Sequence, residues 1–267
     1  MSYQVYHCTA HPEADYIVLS SGLGGHAAFW SAQLPMLQQH FHVITYDQAG
    51  CHADSALLPH GYSMQDLAQQ VLDILLQQQI DAVHFIGHAL GGHIGAELAT
   101  LLPEHHIRLL SLTAINTWDR LDSHTHKCFQ ARIALLQHAG AEAYVRAQAL
   151  FLYPPAYISQ NALQITQAEN DQILDFPPTH NVMARLSALQ AFSIRPTHVA
   201  ALEKTKIHLI ANQDDFLVPY QKSADLQQCF GHGKLSVFAQ GAHASTITET
   251  ESINAAILDF LLHLQEE

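Results

Sequence analysis

Val83-His-Phe-Ile-Gly87-His-Ala89-Leu-Gly91-Gly92 is the stretch whose reading decides the fold. An apolar run rich in β-branched and aromatic residues breaks at Gly87, and small residues follow at once, as where a strand turns into a helix within a few residues. The spacing Gly-x-apex-x-Gly fits a nucleophile elbow. There the apex residue is held in a strained, left-handed backbone conformation, and its neighbours two places away must be small for strand and helix to pass. Gly87 and Gly91 meet that demand. The apex is Ala89, which carries no hydroxyl or thiol, so the element keeps its shape without its nucleophile.

Outward from the elbow, strands and helices alternate. Residues 3–8 suit an edge strand, and Tyr16–Ser20 a buried strand that opens into Ser21-Gly-Leu23-Gly-Gly25. These glycines form no G-x-G-x-x-G and no Walker lysine follows, so a phosphate cradle is disfavoured. An oxyanion loop fits better, the backbone N–H of Leu23 being aimed at the same spot as that of Leu90, the residue after the apex. Further on, the pattern predicts helix Trp30–Gln39, strand Phe41–Asp47, helix Tyr62–Gln78 with Ser63 and Asp66 as its cap, strand 82–87, helix 90–102 and strand Arg108–Ile115. This alternation implies a parallel sheet with right-handed crossovers.

After residue 115 the spacing becomes helical throughout. Ser123–His138, Ala141–Leu152, Gln160–Leu174 and Val182–Ala191 read as helices of a cap over residues 116–204, inserted into a core made of residues 1–115 and 205–267. The sheet resumes at Lys206–Asn212 and Lys234–Phe238, with a helix from about Pro219 to Phe230 between them and another over 249–264.

Composition bounds the partners. A formal charge of −13 argues against nucleic acid and anionic membranes, and leaves a small molecule as the partner. No apolar run reaches the length of a membrane span and residues 1–14 have no secretion signal, so a cytoplasmic protein is expected. Both a monomer and a homodimer are compatible with the sequence. Cys8, Cys51, Cys128 and Cys229 show no paired spacing and read as free thiols. The chain has 21 histidines, but the close pairs His7/His11, His40/His42, His105/His106 and His124/His126 complete no ligand set; no metal site and no cofactor are expected.

Two further stretches follow strand ends, where open α/β sheets place ligands. These are Asp214-Asp215-Phe-Leu-Val-Pro219 and Gly241-Ala-His243. With Ser21-Gly-Leu-Gly24 and Gly87-His-Ala89-Leu-Gly91 they fall in the order nucleophile position, acid, histidine. In this the chain resembles the α/β-hydrolases over nearly its full length. The resemblance implies that His243 is the catalytic base and that Asp215, four places before Pro219, holds its tautomer; Asp214 is read as a solvated turn carboxylate. His88, one before the apex, is expected to face away from the pocket. Asp47-Gln-Ala-Gly50-Cys-His52 departs from the family by lacking the Arg and second Gly common after that strand.

Tyr46-Asp-Gln48, Ser123-His-Thr125, Cys128-Phe-Gln130, Arg132 and Phe151-Leu-Tyr-Pro154 are similar, together with the Ala-bearing elbow, to the members of the family that act in pyrimidine utilisation. That resemblance implies hydrolysis of aminoacrylate or carbamate released from uracil, chemistry that needs no acyl-enzyme. Alternatives are another serine-less activity such as a lyase or cofactor-free oxygenase, a serine replaced in the laboratory, and a relative that binds without turnover. The first Lys or Arg in the chain is Arg108, so a substrate carboxylate must find its cation elsewhere. Arg132, on a helical stripe with His124 and Cys128, is the first choice for that anion clamp and Arg185 the second.

Overall fold

In the computed structural model, which describes residues 2–266, seven strands form one sheet in the order β1-β3-β2-β4-β5-β6-β7. They are β1 (Tyr3–Tyr6), β2 (Tyr16–Ser20), β3 (His42–Tyr46), β4 (Ala82–His88), β5 (Arg108–Ile115), β6 (Lys206–Asn212) and β7 (Lys234–Phe238). All neighbours are parallel except the edge pair β1 and β3. Strands β3 and β4 are buried along their whole length, which is why their apolar residues do not alternate with exposed polar ones.

Alternate residues of these strands feed opposite layers. Val18, Ile44 and Phe85 face the core shared with helices α2 (Met64–Gln77) and α3 (Leu90–Leu101); Ile17, Val43 and Ile86 face the layer closed by the C-terminal helix through Ile253, Ile257 and Leu261. Helix α2 starts as its cap predicts, with the Asp66 carboxylate accepting from the Ser63 backbone N–H at 2.8 Å.

The predicted helix Trp30–Gln39 is instead a 3₁₀ turn, Ala27–Trp30, followed by the single helical turn α1, Leu34–Leu37. Pro35 explains the break, since proline has no N–H to bond back to the preceding turn and its ring disfavours a helical residue before it.

Between β5 and β6 the described chain is all helical, with α4 (Ser123–Leu152), α5 (Pro155–Gln160), α6 (Ala162–Leu174), α7 (Thr179–Ala191) and α8 (Pro196–Leu202). Gly140, at φ +88°, breaks α4 at the gap left between the two predicted helices. Helix α8 packs on α3 of the core, where buried His198 meets Glu97 at 2.9 Å and Arg195 reaches the same carboxylate at 2.9 Å. The roof of the site is therefore made by the part of the insertion before α8. Helices α9 (Gln221–Phe230), α10 (Ser245–Thr248) and α11 (Thr250–Glu266) complete the core.

In this strand order β2 and β4 are neighbours, while β3 lies on the other side of β2. The chain thus changes winding direction beside β2, and crevices of this kind, past the carboxyl ends of the strands, are where open α/β sheets bind ligands. The loops after β2, β4, β5, β6 and β7 all emerge at that edge. Among the described residues no helix is long and apolar enough to cross a membrane.

Candidate active site

Ala89 sits at φ +48°, ψ −110°, between the end of β4 and the start of α3. The close passage that holds it there is visible at the two glycines. A Cβ on Gly87 would lie 2.2 Å from the Gly91 carbonyl carbon, and one on Gly91 would lie 2.1 Å from the Ser20 carbonyl oxygen, both impossible contacts. The apex is pinned by its N–H donating to the Ile115 oxygen at 2.8 Å. A strained apex of this kind is a feature of functional sites, and here it presents only a methyl group.

The loops after β6 and β7 bring Asp215 and His243 together as the motif order implies. Asp215 Oδ2 accepts from His243 Nδ1 at 2.8 Å, and Oδ1 accepts from the backbone N–H groups of Leu217 and Val218 at 2.8 and 2.9 Å. Both side chains are buried. Because the carboxylate can only accept while ionised, Nδ1 carries the proton and Nε2 is left as the lone-pair nitrogen, the tautomer of a general base.

Three further groups, of which the sequence reading missed Asn116 and misjudged the other two, hold the histidine loop. Asn116, the residue after β5, donates from Nδ2 to the His243 oxygen at 2.8 Å. Asp214 is exposed as expected, yet it is more than a solvated carboxylate: it accepts from the N–H groups of Gly241 and Ala242 at 3.1 and 2.8 Å. The third is His88. It does not face away from the pocket; it lines the cavity, with its ring centroid 4.8 Å from that of His243. Its Nε2 donates to the His243 oxygen at 2.8 Å, which draws the ring under the β7 loop and against Phe29. Burial, reinforced by the adjacent His243, pushes its pKa down to about 3, so His88 is a neutral prop.

Above these groups lies a cavity of about 260 Å³, bounded by Ala89, His243, the glycine loop Ser21–Gly25 and the cap residues Arg132 and Gln148. Its wall is otherwise mostly apolar and aromatic, with Phe29, Trp118, Phe129 and Tyr153 contributing. Leu23 and Leu90 both line it. Leu90 is the first residue of α3, so its N–H has no acceptor within the helix.

The two proposed clamp arginines separate. Arg132 reaches into the cavity wall, 3% exposed, over the rings of Phe129, Tyr144 and Phe151 at 5.5 to 5.9 Å. It donates to Gln148 Oε1 at 2.6 Å and to the Tyr144 hydroxyl at 3.3 Å, while its Nε has no partner among the described residues. Among the described residues it pairs with no carboxylate. Its stripe is as predicted, with Cys128 Sγ 3.7 Å from His124 Nε2. Arg185 is equally buried but does not line this cavity. It lies in an adjoining recess behind the glycine loop, donating to Gln48 Oε1 and, at 3.5 Å, to the Gly24 oxygen, while Gln48 itself donates to the Ser21 oxygen at 2.7 Å. Its contacts support the loop rather than reach the cavity.

Residues 15–250 match the model of the α/β-hydrolase fold. The chain belongs to the α/β-hydrolase fold family. A protein of Acinetobacter baylyi named "Putative carbamate hydrolase RutD" is 50% identical over 261 residues, covering 98% of both chains. One of the same name from Stutzerimonas stutzeri is 42% identical, over 100% of this chain and 97% of its own. Among solved structures, the enol-lactonase of Burkholderia xenovorans superposes with a TM-score of 0.84 at 22% identity, covering 98% of this chain and 96% of its own, a likeness of fold. In this α/β-hydrolase His243, bonded to Asp215, lines one cavity together with Ala89 and the loop Ser21–Gly25.

Proposed function

We propose that this α/β-hydrolase acts on a small C–N substrate bearing a carboxylate, 3-aminoacrylate or carbamate, by general acid/base catalysis on His243 and without a covalent intermediate. The observation that carries the reading is the pairing of an intact His243–Asp215 dyad with a methyl group at the apex, under a buried arginine that has no carboxylate partner among the described residues. The names of the RutD relatives support it.

For aminoacrylate, a proton taken from solvent at C2 turns the enamine into an iminium. Water then adds at C3, its proton passing to His243 Nε2; that proton, returned to nitrogen, lets ammonia leave as the C–N bond breaks, while the carbinolamine hydroxyl gives its proton back to solvent and leaves malonic semialdehyde. For carbamate, a proton delivered to nitrogen releases ammonia as the C–N bond breaks to carbon dioxide. Neither route forms a bond to the enzyme, so an alanine apex costs nothing and leaves room for water. Placed proton transfer of this kind contributes roughly 10²–10⁴ in rate. The cavity suits the task, since a water takes roughly 30 Å³ of liquid volume and 260 Å³ holds a small substrate together with the water it consumes. Arg132 would pair with the carboxylate, and the N–H groups of Leu23 and Leu90 would bind developing negative charge on oxygen.

The test is stopped-flow decay of aminoacrylate generated in situ, read as ammonia release, with carbamate breakdown measured in parallel. The wild-type chain is expected to accelerate at least one of them and His243→Ala neither. No acceleration by the wild type, or an undiminished rate in His243→Ala, would overturn the proposal.

A further inference from the structure

Beside the glycine loop, four metal-binding side chains converge that the reaction does not use. His26, Asp47, Cys51 and His52 each offer one ligand atom, and these atoms lie within 4.8 Å of one another. Three of them come from the loop after β3, the stretch in which this chain departs from the usual family pattern; the fourth is contributed by the segment after β2. We propose that they form a binding site for a divalent transition-metal ion, with Zn²⁺ as the ion best matched to two imidazoles, a thiolate and a carboxylate.

Hydrogen bonding within the cluster does not account for all four groups. His52 lies between two carboxylates, its Nδ1 2.7 Å from Asp175 Oδ2 and its Nε2 3.4 Å from Asp47 Oδ2. A protonated His52 satisfies those three groups. It leaves His26, half-buried, held only by an edge-on ring contact with His52 at 4.8 Å, and the fully buried Cys51 sulfur with no partner but its own backbone among the described residues. A metal ion satisfies all four.

The surroundings fit an ion. Metal-bound histidines usually donate their second ring N–H to a carboxylate, which fixes the tautomer; Asp175 stands in that relation to His52, while also accepting from the Ala53 N–H at 3.0 Å. Asp47 is oriented in the same way, its Oδ1 accepting from the Ala27 N–H at 2.8 Å. Zinc bonds of about 2.0–2.3 Å imply ligand-to-ligand edges of roughly 3.3–3.8 Å, so the widest separation has to close by only about 1 Å. Gly25, at φ +87°, gives the backbone beside His26 a conformation open to such an adjustment.

Charge is balanced as well. The Asp47 carboxylate and a Cys51 thiolate neutralise a divalent ion, so the neighbouring Arg185 guanidinium faces a neutral complex. That guanidinium flanks Gly25 together with Cys51. Asp175 belongs to the cap, whereas the four ligands belong to the core. An ion here would fasten the glycine loop to the loop after β3 and dock the cap against both.

The site is tested by titrating the metal-free full chain with Co²⁺. One equivalent should produce thiolate-to-cobalt charge-transfer absorption and the visible d–d bands of a tetrahedral ion, and Zn²⁺ should displace it. Cys51→Ser should abolish the charge-transfer band, Cys229→Ser, at an exposed thiol, should leave it intact, and Asp175→Asn should weaken Co²⁺ binding about 10- to 100-fold. Should Cys51→Ser fail to fold, His26→Asn decides by the loss or persistence of the tetrahedral bands. A wild-type chain without the charge-transfer band, a band that survives in Cys51→Ser, or tetrahedral bands unchanged in His26→Asn would each overturn the assignment.

Discussion

Replacing Arg132 by methionine separates a substrate-binding role from a structural one, because the two predict opposite effects on stability. The guanidinium is 3% exposed and has no carboxylate partner among the described residues. In the free protein its burial is offset only by Gln148, Tyr144 and three aromatic rings. Hydrogen bonds from the charged guanidinium contribute about 1.5–3 kcal/mol each and cation–π contacts about 0.5–2 kcal/mol, roughly balancing a burial cost of several kcal/mol for the charge. Methionine, similar in length and apolar, should therefore leave the Tm unchanged or raise it, by about 2–4 °C for each kcal/mol gained in a chain of this size. Substrate binding should suffer instead. Removing one partner of a buried pair costs about 3–5 kcal/mol, so kcat/KM should fall by about 10²–10⁴, with Arg132→Lys intermediate because the charge survives but the planar fork does not. Thermal melts and stopped-flow decay of aminoacrylate on one preparation read both quantities. An unchanged kcat/KM refutes the clamp, and a large fall in Tm parallel to the loss of rate refutes the reasoning that the charge brings the free enzyme no net stability.

Other changes probe the dyad and the apex. Asp215→Asn should slow turnover by less than the roughly 10⁴ lost when a serine must be activated, because His243 here only shuttles protons; a larger loss, measured in the same decay assay, would mean that water needs strong activation. Ala89→Ser should leave turnover similar or lower and create weak hydrolysis of an activated ester such as p-nitrophenyl acetate, since base and oxyanion groups stand ready; a large gain on the C–N substrate would contradict a mechanism without a nucleophile. Gly91→Ala should prevent accumulation of folded protein, because its Cβ would strike the Ser20 oxygen at 2.1 Å; a soluble variant with wild-type melting behaviour would contradict that packing. Stability should fall on acidification. Burial holds the pKa of His88 at about 3 and those of His93 and His208 at about 4, below the 6.5 of an unfolded chain, so the stabilisation of their neutral forms is complete above pH 6.5 and drains away as pH falls towards 4 and 3. Urea midpoints should drop between pH 7 and 5, less steeply in His208→Gln, and a flat profile would show that these rings accept protons in the folded state.

The primary structure by itself determined the sheet and the order of its functional loops. Runs such as Ile17–Leu19 of β2, apolar and buried at successive positions, can be covered only between two helical layers, and the glycines at 87 and 91 leave one way for β4 to enter α3. Asp215 and His243 were implied by the resemblance to the α/β-hydrolases, each standing just past a strand end, and the structure places them 2.8 Å apart. What only the tertiary structure decided depends on which side chains meet across elements far apart in the chain. The direction of His88 follows from a carbonyl 155 residues away in sequence. Arg132 and Arg185 are both cap arginines at helical positions, and periodicity cannot tell a helix face over the cavity from one against the glycine loop. The gathering of His26 with Asp47, Cys51 and His52 likewise needs β2 and β3 to lie side by side, because no local spacing brings a ligand across from one loop to another.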